Sequence, residues 1–228
     1  MIKAALFDLD GVVFETESQY SIFWGMIGRE YHPEIPDFEY RIKGQTLVQI
    51  YDKYFSEDSV FAHIKGYTDA KSEQGKITTR LNEFEKNMSY PYITGFEDFI
   101  KDLKQNGVKC AVVTSSNIQK MLNVYKQHPE FKGYFDRVLT SEDFAKSKPD
   151  PDCYQKGAAC FDAKPEECVG LEDSFNGLKA VRAAGAFTLG LSTTNSKESI
   201  EPFSDYVIAD YTGFTFADLV KVVEENKK

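Results

Sequence analysis

Two aspartates one residue apart, Asp8 and Asp10, follow an apolar run from Ile2 to Phe7, and paired carboxylates in that setting suit metal-assisted phosphoryl chemistry. The run reads as a buried β-strand. In an extended segment residues i and i+2 face the same side, so the two carboxylates are expected to converge where the strand ends. Strand ends are where open α/β sheets place their ligands. A second reading stays open on these residues alone: a strand followed by an acidic turn, since Asp and Gly are common in turns.

Three further clusters repeat the pattern of an apolar run ending in polar residues. Val108 to Val113 delivers Thr114-Ser115-Ser116-Asn117 just before a helix, where hydroxyls and free backbone N–H groups suit a phosphate and equally suit a helix N-cap. In Lys146-Ser147-Lys148-Pro149-Asp150-Pro151 two prolines stiffen a loop around Lys148, and a lysine so fixed can neutralise phosphate charge. A solvated loop lysine is the bland counterpart. Glu167 to Leu171 ends in Glu172-Asp173-Ser174 ahead of a helix starting near Phe175. Adjacent acids there suggest a metal site, or Asp173 or Ser174 simply caps the helix.

The elements needed to hold these clusters together follow from the periodicity. Strand-like segments at Val108 to Thr114, Arg137 to Ser141, Cys168 to Asp173, Phe187 to Leu191 and Tyr206 to Ala209 alternate with helical ones, as in βαβ units. A parallel sheet brings the C-terminal ends of such strands together. Between the first and second clusters the pattern turns helical: Tyr20, Phe23, Trp24, Ile27 and Tyr31 recur at helix spacing, as do Leu47, Ile50, Tyr51 and Tyr54. A polar helical segment runs from about Thr68 to Asn87, and Pro91, Thr94 and Gly95 break the pattern. The expected fold is α/β, a Rossmann-like parallel sheet core of residues 1–15 and 89–228 with an inserted α-helical domain of residues 16–88. Lys221 to Lys228 is expected to be a fraying helix end.

Composition narrows the function. With 228 residues, 42% of them hydrophobic, the chain can bury one α/β core plus a modest insertion. Acidic residues number 36 against 27 basic, a formal charge of −9, which opposes a general electrostatic grip on nucleic acid or anionic lipid. Cys110, Cys153, Cys160 and Cys168 form no C-x-x-C pair and are expected to be reduced packing residues. The sequence enters its first strand with no charged leader or long apolar region, so the expectation is a cytoplasmic protein with no membrane or nucleic-acid partner, a monomer or weak dimer. His32, His63 and His128 lie outside the clusters and are expected at the surface or in turns. No glycine-rich dinucleotide fingerprint follows a strand.

Taken in order, Asp8-Leu9-Asp10-Gly11-Val12, Thr114-Ser115-Ser116, Lys148-Pro149-Asp150-Pro151 and Gly170-Leu171-Glu172-Asp173-Ser174 resemble the motifs of the haloacid dehalogenase-like hydrolase superfamily, in its phosphatase and β-phosphoglucomutase-like branch with a small helical cap. The resemblance spans Met1 to about Leu191. It implies that Asp8 is the nucleophile, forming an aspartyl-phosphate, and that Asp10 acts in turn as acid and base. It implies a Mg²⁺ ion on Asp8, the Asp10 carbonyl and Asp173, with Glu172 bound directly or through water. Thr114 and Lys148 would hold the phosphoryl oxygens, with Ser115 and Ser116 beside them. In relatives a cap loop reaches over the core site, which points to Lys43 and Gly44 in Arg41-Ile42-Lys43-Gly44-Gln45-Thr46 as substrate contacts; a charged interhelical turn is the alternative.

The implied activity is Mg-dependent hydrolysis of a small phosphorylated metabolite, a sugar phosphate foremost. A phosphomutase of the β-phosphoglucomutase type is the alternative enzyme, weakened by two departures: Tyr20 stands where such mutases have a histidine, and Leu47 where they have a cap-loop arginine. Dehalogenation fits poorly because Asp10 and Asp173 are present, and phosphonate hydrolysis would need a cap lysine among Lys43, Lys65, Lys71 and Lys76. A phospho-ligand binding protein without turnover would more naturally lack Asp8 or Asp10. Glu15 stands where an aspartate is often found.

Overall fold

The computed structural model describes residues 2–43 and 45–226. Six strands are formed: β1 (Ala4–Phe7), β2 (Lys109–Val113), β3 (Arg137–Leu139), β4 (Cys168–Glu172), β5 (Phe187–Leu191) and β6 (Tyr206–Ile208). They make one parallel sheet in the order β3-β2-β1-β4-β5-β6. The central strands are apolar along their length because helices cover both faces of such a sheet: all four residues of β1 and all five of β4 are buried. The chain order reverses between β1 and β4, and the C-terminal edge at such a switch point is where an α/β sheet opens a crevice.

The chain forms two compact units, residues 1–15 with 90–228, and residues 16–89. The first holds the sheet and α5 to α11, whose predecessors α1 (Glu17–Tyr31), α2 (Phe38–Arg41), α3 (Leu47–Tyr54) and α4 (Ala70–Asn87) belong to the second. The sheet-bearing unit's helices are α5 (Phe96–Gln105), α6 (Ile118–Gln127), α7 (Phe131–Tyr134), α8 (Asp152–Ala159), α9 (Phe175–Ala184), α10 (Lys197–Ile200) and α11 (Phe216–Glu225). Its core joins Leu6, Ala111, Val113, Tyr154 and Val181 across β1, β2, α8 and α9.

The helical unit has a core of its own, built on the aromatic spacing of its sequence: Phe23, Trp24, Ile27 and Tyr31 of α1 pack with Phe38, Ile50, Phe55, Phe61, Ile77 and Leu81. Glu73 is fully buried there, and the Tyr31 hydroxyl at 2.7 Å and Lys76 Nζ at 2.6 Å donate to its carboxylate. His32, expected at the surface or in a turn, follows the end of α1 and is buried: it is 9% exposed, stacked on Phe38. Its burial is possible because Nδ1 meets Glu34 at 2.9 Å and Nε2 meets the Tyr54 carbonyl at 2.8 Å, satisfying both ring nitrogens.

Strand limits are shorter than the apolar runs suggested. β1 starts at Ala4, and β2 stops at Val113 because Thr114 turns its hydroxyl back to accept the Ser116 N–H at 3.0 Å. α11 ends at Glu225; Lys227 and Lys228 lie outside the described residues. The cysteines are free, and Cys160 alone among them is exposed. No helix among the described residues is long and apolar enough to cross a membrane.

Close packing of α9 on β4 depends on Gly170, where an added Cβ would lie 2.5 Å from Val181 Cγ1. Overpacking of this kind costs roughly 1–3 kcal/mol, so Gly170→Ala should lower the Tm in a thermal unfolding scan, and adding Val181→Ala should recover part of the loss.

Candidate active site

Sheet register sets the site. Phe7 pairs with Val112 on one side and with Leu171 on the other, so Asp8 and Glu172, one residue on, and Thr114, two residues on, emerge on the same edge of three adjacent strands. The Asp8 N–H continues the ladder to the Leu171 carbonyl at 3.0 Å.

Lys148 sits at the centre of this edge. The lysine is 5% exposed, and its Nζ donates to Asp8 Oδ1 at 2.6 Å, to Glu172 Oε1 at 2.6 Å and to the Val113 carbonyl at 3.1 Å. The loop that carries it contains a cis Lys148–Pro149 bond. Burial alone would lower the Lys148 pKa, but Asp8 and Glu172 beside it hold it above the ordinary lysine value. Burial pushes Asp8 up to about 7 against the pull of Lys148, with Glu172 and Asp10 adding to the push.

Glu172 is wholly buried and fully engaged. Its Oε1 accepts from Lys148 and from the Tyr154 hydroxyl at 2.8 Å; its Oε2 accepts from the N–H groups of Asp173 and Ser174 at 3.2 and 3.3 Å and from Ser174 Oγ at 3.1 Å. A carboxylate offers about four lone-pair positions, so these donors use all of them. Ser174 also caps α9 by accepting the Gly177 N–H at 3.1 Å. Asp173 is left facing the site, with Asn195 Nδ2 donating to its carbonyl at 2.9 Å.

Asp8 and Asp10 each meet a buried lysine, Lys148 and Lys120 in turn. Past the end of β1 the chain turns through Leu9 to Phe14, and the Asp10 carboxylate meets Lys120 Nζ at 2.5 and 2.6 Å on its two oxygens and Ser116 Oγ at 3.0 Å. Lys120 lies one turn into α6 and is 2% exposed. Asn117, not a hydroxyl residue, caps that helix, its Oδ1 accepting the Lys120 N–H at 2.9 Å. The hydroxyls of the cluster are therefore released for other work. Thr114 Oγ1 accepts the Ser116 N–H and keeps its own proton to donate.

Lys43 lies in the helical unit, 3.9 Å from Glu17 and over the Tyr40 ring. Gly44 lies outside the described residues. Lys120 and Tyr154 were not singled out in the sequence. Lys120 sits three residues past the capping Asn117, a spacing that puts it on the first turn above the strand end, and this was the available signal.

The residues present fit a hard divalent cation. Carboxylate oxygens of Asp8, Glu172 and Asp173 lie within 4.8 Å of one another, and Mg²⁺ takes oxygen ligands while keeping several waters. Four carboxylates, Asp8, Asp10, Glu172 and Asp173, face two ammonium groups, Lys120 and Lys148, an excess of two negative charges. Gly11, at φ +73°, leaves room that a side chain would fill: a Cβ there would fall 2.0 Å from Asp173 Oδ2 and 2.7 Å from Thr194 Oγ1. The Thr194 hydroxyl and that of Tyr211 are the buried side-chain polar atoms without a hydrogen-bond partner among the described residues. Thr194 is thus beside Asp173, and Tyr211 is near enough for Asp173 and Asp8 to help burial push its phenol pKa well up. A hydrated ion held by the acids would offer such hydroxyls a partner.

A parallel sheet with an acid-and-lysine cluster at its switch point defines a phosphate-handling α/β site. The family model for haloacid dehalogenase-like hydrolases matches residues 2–185, and the chain belongs to that family. It is 28% identical over 200 residues to a β-phosphoglucomutase of Bacillus subtilis, covering 83% of each chain. It is 24% identical over 219 residues to a validoxylamine A 7'-phosphate phosphatase of Streptomyces hygroscopicus, covering 93% of this chain and 95% of the other. Among solved structures, a family IA hydrolase of Entamoeba histolytica superposes with a TM-score of 0.81 at 17% identity, covering 98% of this chain and all of its own.

The buried Glu172 also constrains α9. Alanine normally stabilises a helix relative to glycine by about 1 kcal/mol, yet a Cβ on Gly177 would lie 1.8 Å from Glu172 Cδ. Gly177→Ala should therefore lower the Tm, where a solvent-facing helical glycine such as Gly75, with nothing within 4 Å, should give a rise.

Proposed function

We propose that the protein is a phosphatase that hydrolyses a small phosphorylated metabolite, a sugar phosphate being the leading class, through an aspartyl-phosphate on Asp8. The observation that carries the reading is the Lys148 ammonium bonded at once to Asp8 and Glu172 at 2.6 Å, a fixed cation beside a nucleophile at the mouth of the sheet.

Asp8 attacks phosphorus: the Asp8 Oδ–P bond forms, the bond from phosphorus to the leaving oxygen breaks, and Asp10 gives that oxygen a proton. Water then attacks the phosphorus, the Asp8–phosphate bond breaks, and the proton released by the water returns to Asp10. Thr114 donates its free hydroxyl proton and Ser115 its N–H to phosphoryl oxygens, and Lys148 balances the charge that develops on them. Asp8, Asp173 and the Asp10 carbonyl would hold Mg²⁺, which when bound offsets the repulsion between Asp8 and a phosphate dianion. Glu172, its oxygens already filled by protein donors, supports the site by anchoring Lys148.

The mutase alternative is less well supported. Tyr20 donates its hydroxyl to Glu85 at 2.7 Å within the helical unit, and Leu47 packs against that unit's core; neither supplies a basic contact. The helical unit is assigned the role of a cap selecting the leaving group, with Lys43 and Gly44 its candidate contacts.

Phosphate release from sugar phosphates, nucleotides, phosphoglycolate and pyrophosphate with Mg²⁺ tests the reading. Wild type should release phosphate from at least one ester, and Asp8→Asn should lose more than about a thousandfold in kcat while unfolding as cooperatively as wild type. Phosphate release by Asp8→Asn near the wild-type rate would refute the assignment. Chelation of the metal should abolish release, and Mg²⁺ should raise the wild-type Tm but not that of Asp173→Asn.

A further inference from the structure

Lys120 is among the most deeply buried charges in the protein and lies on no motif that the chemistry above uses. Lysine is seldom buried unless paired, and this one meets both oxygens of the Asp10 carboxylate, Oδ1 at 2.5 Å and Oδ2 at 2.6 Å. Ser116 Oγ fixes the same carboxylate from a second direction at 3.0 Å. The helix that carries the lysine is itself anchored. Asn117 caps it, the Ile118 N–H donates to Glu142 Oε1 at 3.2 Å, and Met121 and Val124 are buried beneath it. An aspartate on the turn after β1 is thereby tied to the first turn of the helix that follows β2.

We propose that Lys120 is the positioning residue for Asp10, holding its carboxyl group in the orientation from which a proton is given to the leaving oxygen. Ser116 completes the clamp. The assignment rests on the phosphatase reading, in which Asp10 is the proton carrier. A buried ion pair that merely stabilised the fold would have no bearing on which leaving group departs.

Leaving groups separate the two roles. p-Nitrophenolate departs without protonation, whereas the alkoxide of glycerol 2-phosphate needs it, and kcat/KM reports the step in which the leaving group departs. We would measure kcat/KM on both esters for wild type, Asp10→Asn, Lys120→Met, Lys120→Arg and Ser116→Ala, with the Tm of each. Asp10→Asn should lose far more on glycerol 2-phosphate than on p-nitrophenyl phosphate, since positioned acid–base groups contribute about 10²–10⁴-fold. Lys120→Met should show the same selective loss, about tenfold or more on the alkyl ester and within about twofold on the aryl ester, and Lys120→Arg should restore much of it. Equal losses on both esters from Lys120→Met, with Asp10→Asn still selective, would overturn the positioning role and leave the phosphatase reading standing. An unselective Asp10→Asn, or no turnover of either ester by wild type, would overturn both. Should Lys120→Met fail to fold, Ser116→Ala carries the decision by the same criterion: a selective loss supports the clamp and an even one refutes it.

Discussion

The structure around the site depends on one buried cation. Lys148 meets the ends of three neighbouring strands, at Asp8 after β1, the Val113 carbonyl of β2 and Glu172 at the end of β4. Removing an ammonium from water is costly unless it is paired and hydrogen-bonded, so the acids must come to it. Glu172 in turn is tolerable without solvent only because Tyr154, the Asp173 and Ser174 N–H groups and the Ser174 hydroxyl complete its shell. That shell dictates a glycine at position 177, where no side chain would fit. A requirement for one fixed positive charge thus reaches through an acid and a helix N-terminus to a residue with no chemistry of its own.

The four carboxylates are not equivalent, and their differences come from which donors reach them. Glu172 takes protein donors on both oxygens, Asp10 is clamped by Lys120 and Ser116, and Asp8, Glu172 and Asp173 bring carboxylate oxygens within 4.8 Å of one another. Burial is the main reason the Asp8 carboxyl is pushed up to about 7, with Glu172 and Asp10 adding to the push and Lys148 opposing it. A divalent ion held by these acids would offset their repulsion. The two buried lysines are split between the two aspartates, Lys148 on Asp8 and Lys120 on Asp10.

Much of the architecture could be read before any coordinates. Strands buried on both faces are written as unbroken apolar runs, so β1, β2 and β4 and the clusters after them stand out, and aromatic residues at helical spacing mark α1 and α3. Lys120 could not be distinguished in that way. It looks like any polar residue of an amphipathic helix, and only the proximity of Asp10, 110 residues earlier, makes it a buried partner. Tyr154 was hidden for the same reason, as an aromatic in a helix whose hydroxyl finds its acceptor on another element. His32 was misplaced because its burial depends on Glu34 and the Tyr54 carbonyl, neither of which a count of apolar residues weighs. Where Ser or Thr could equally cap a helix or bind phosphate, neighbours decide the matter: Asn117 caps α6 and frees Thr114 to Ser116, whereas Ser174 is spent on α9.

Every group given a part in the bond-making steps belongs to the sheet-bearing unit. The helical unit satisfies its own interior, with Glu73 held by Tyr31 and Lys76, and with His32 held by Glu34 and Tyr54. A fold divided in this way can keep a fixed phosphoryl machinery while its insertion changes freely. Relatives of similar length that carry names as different as β-phosphoglucomutase and validoxylamine A 7'-phosphate phosphatase are what such a division of labour allows, and the chain's own selectivity is then to be sought in the insertion rather than in the acids and lysines of the sheet.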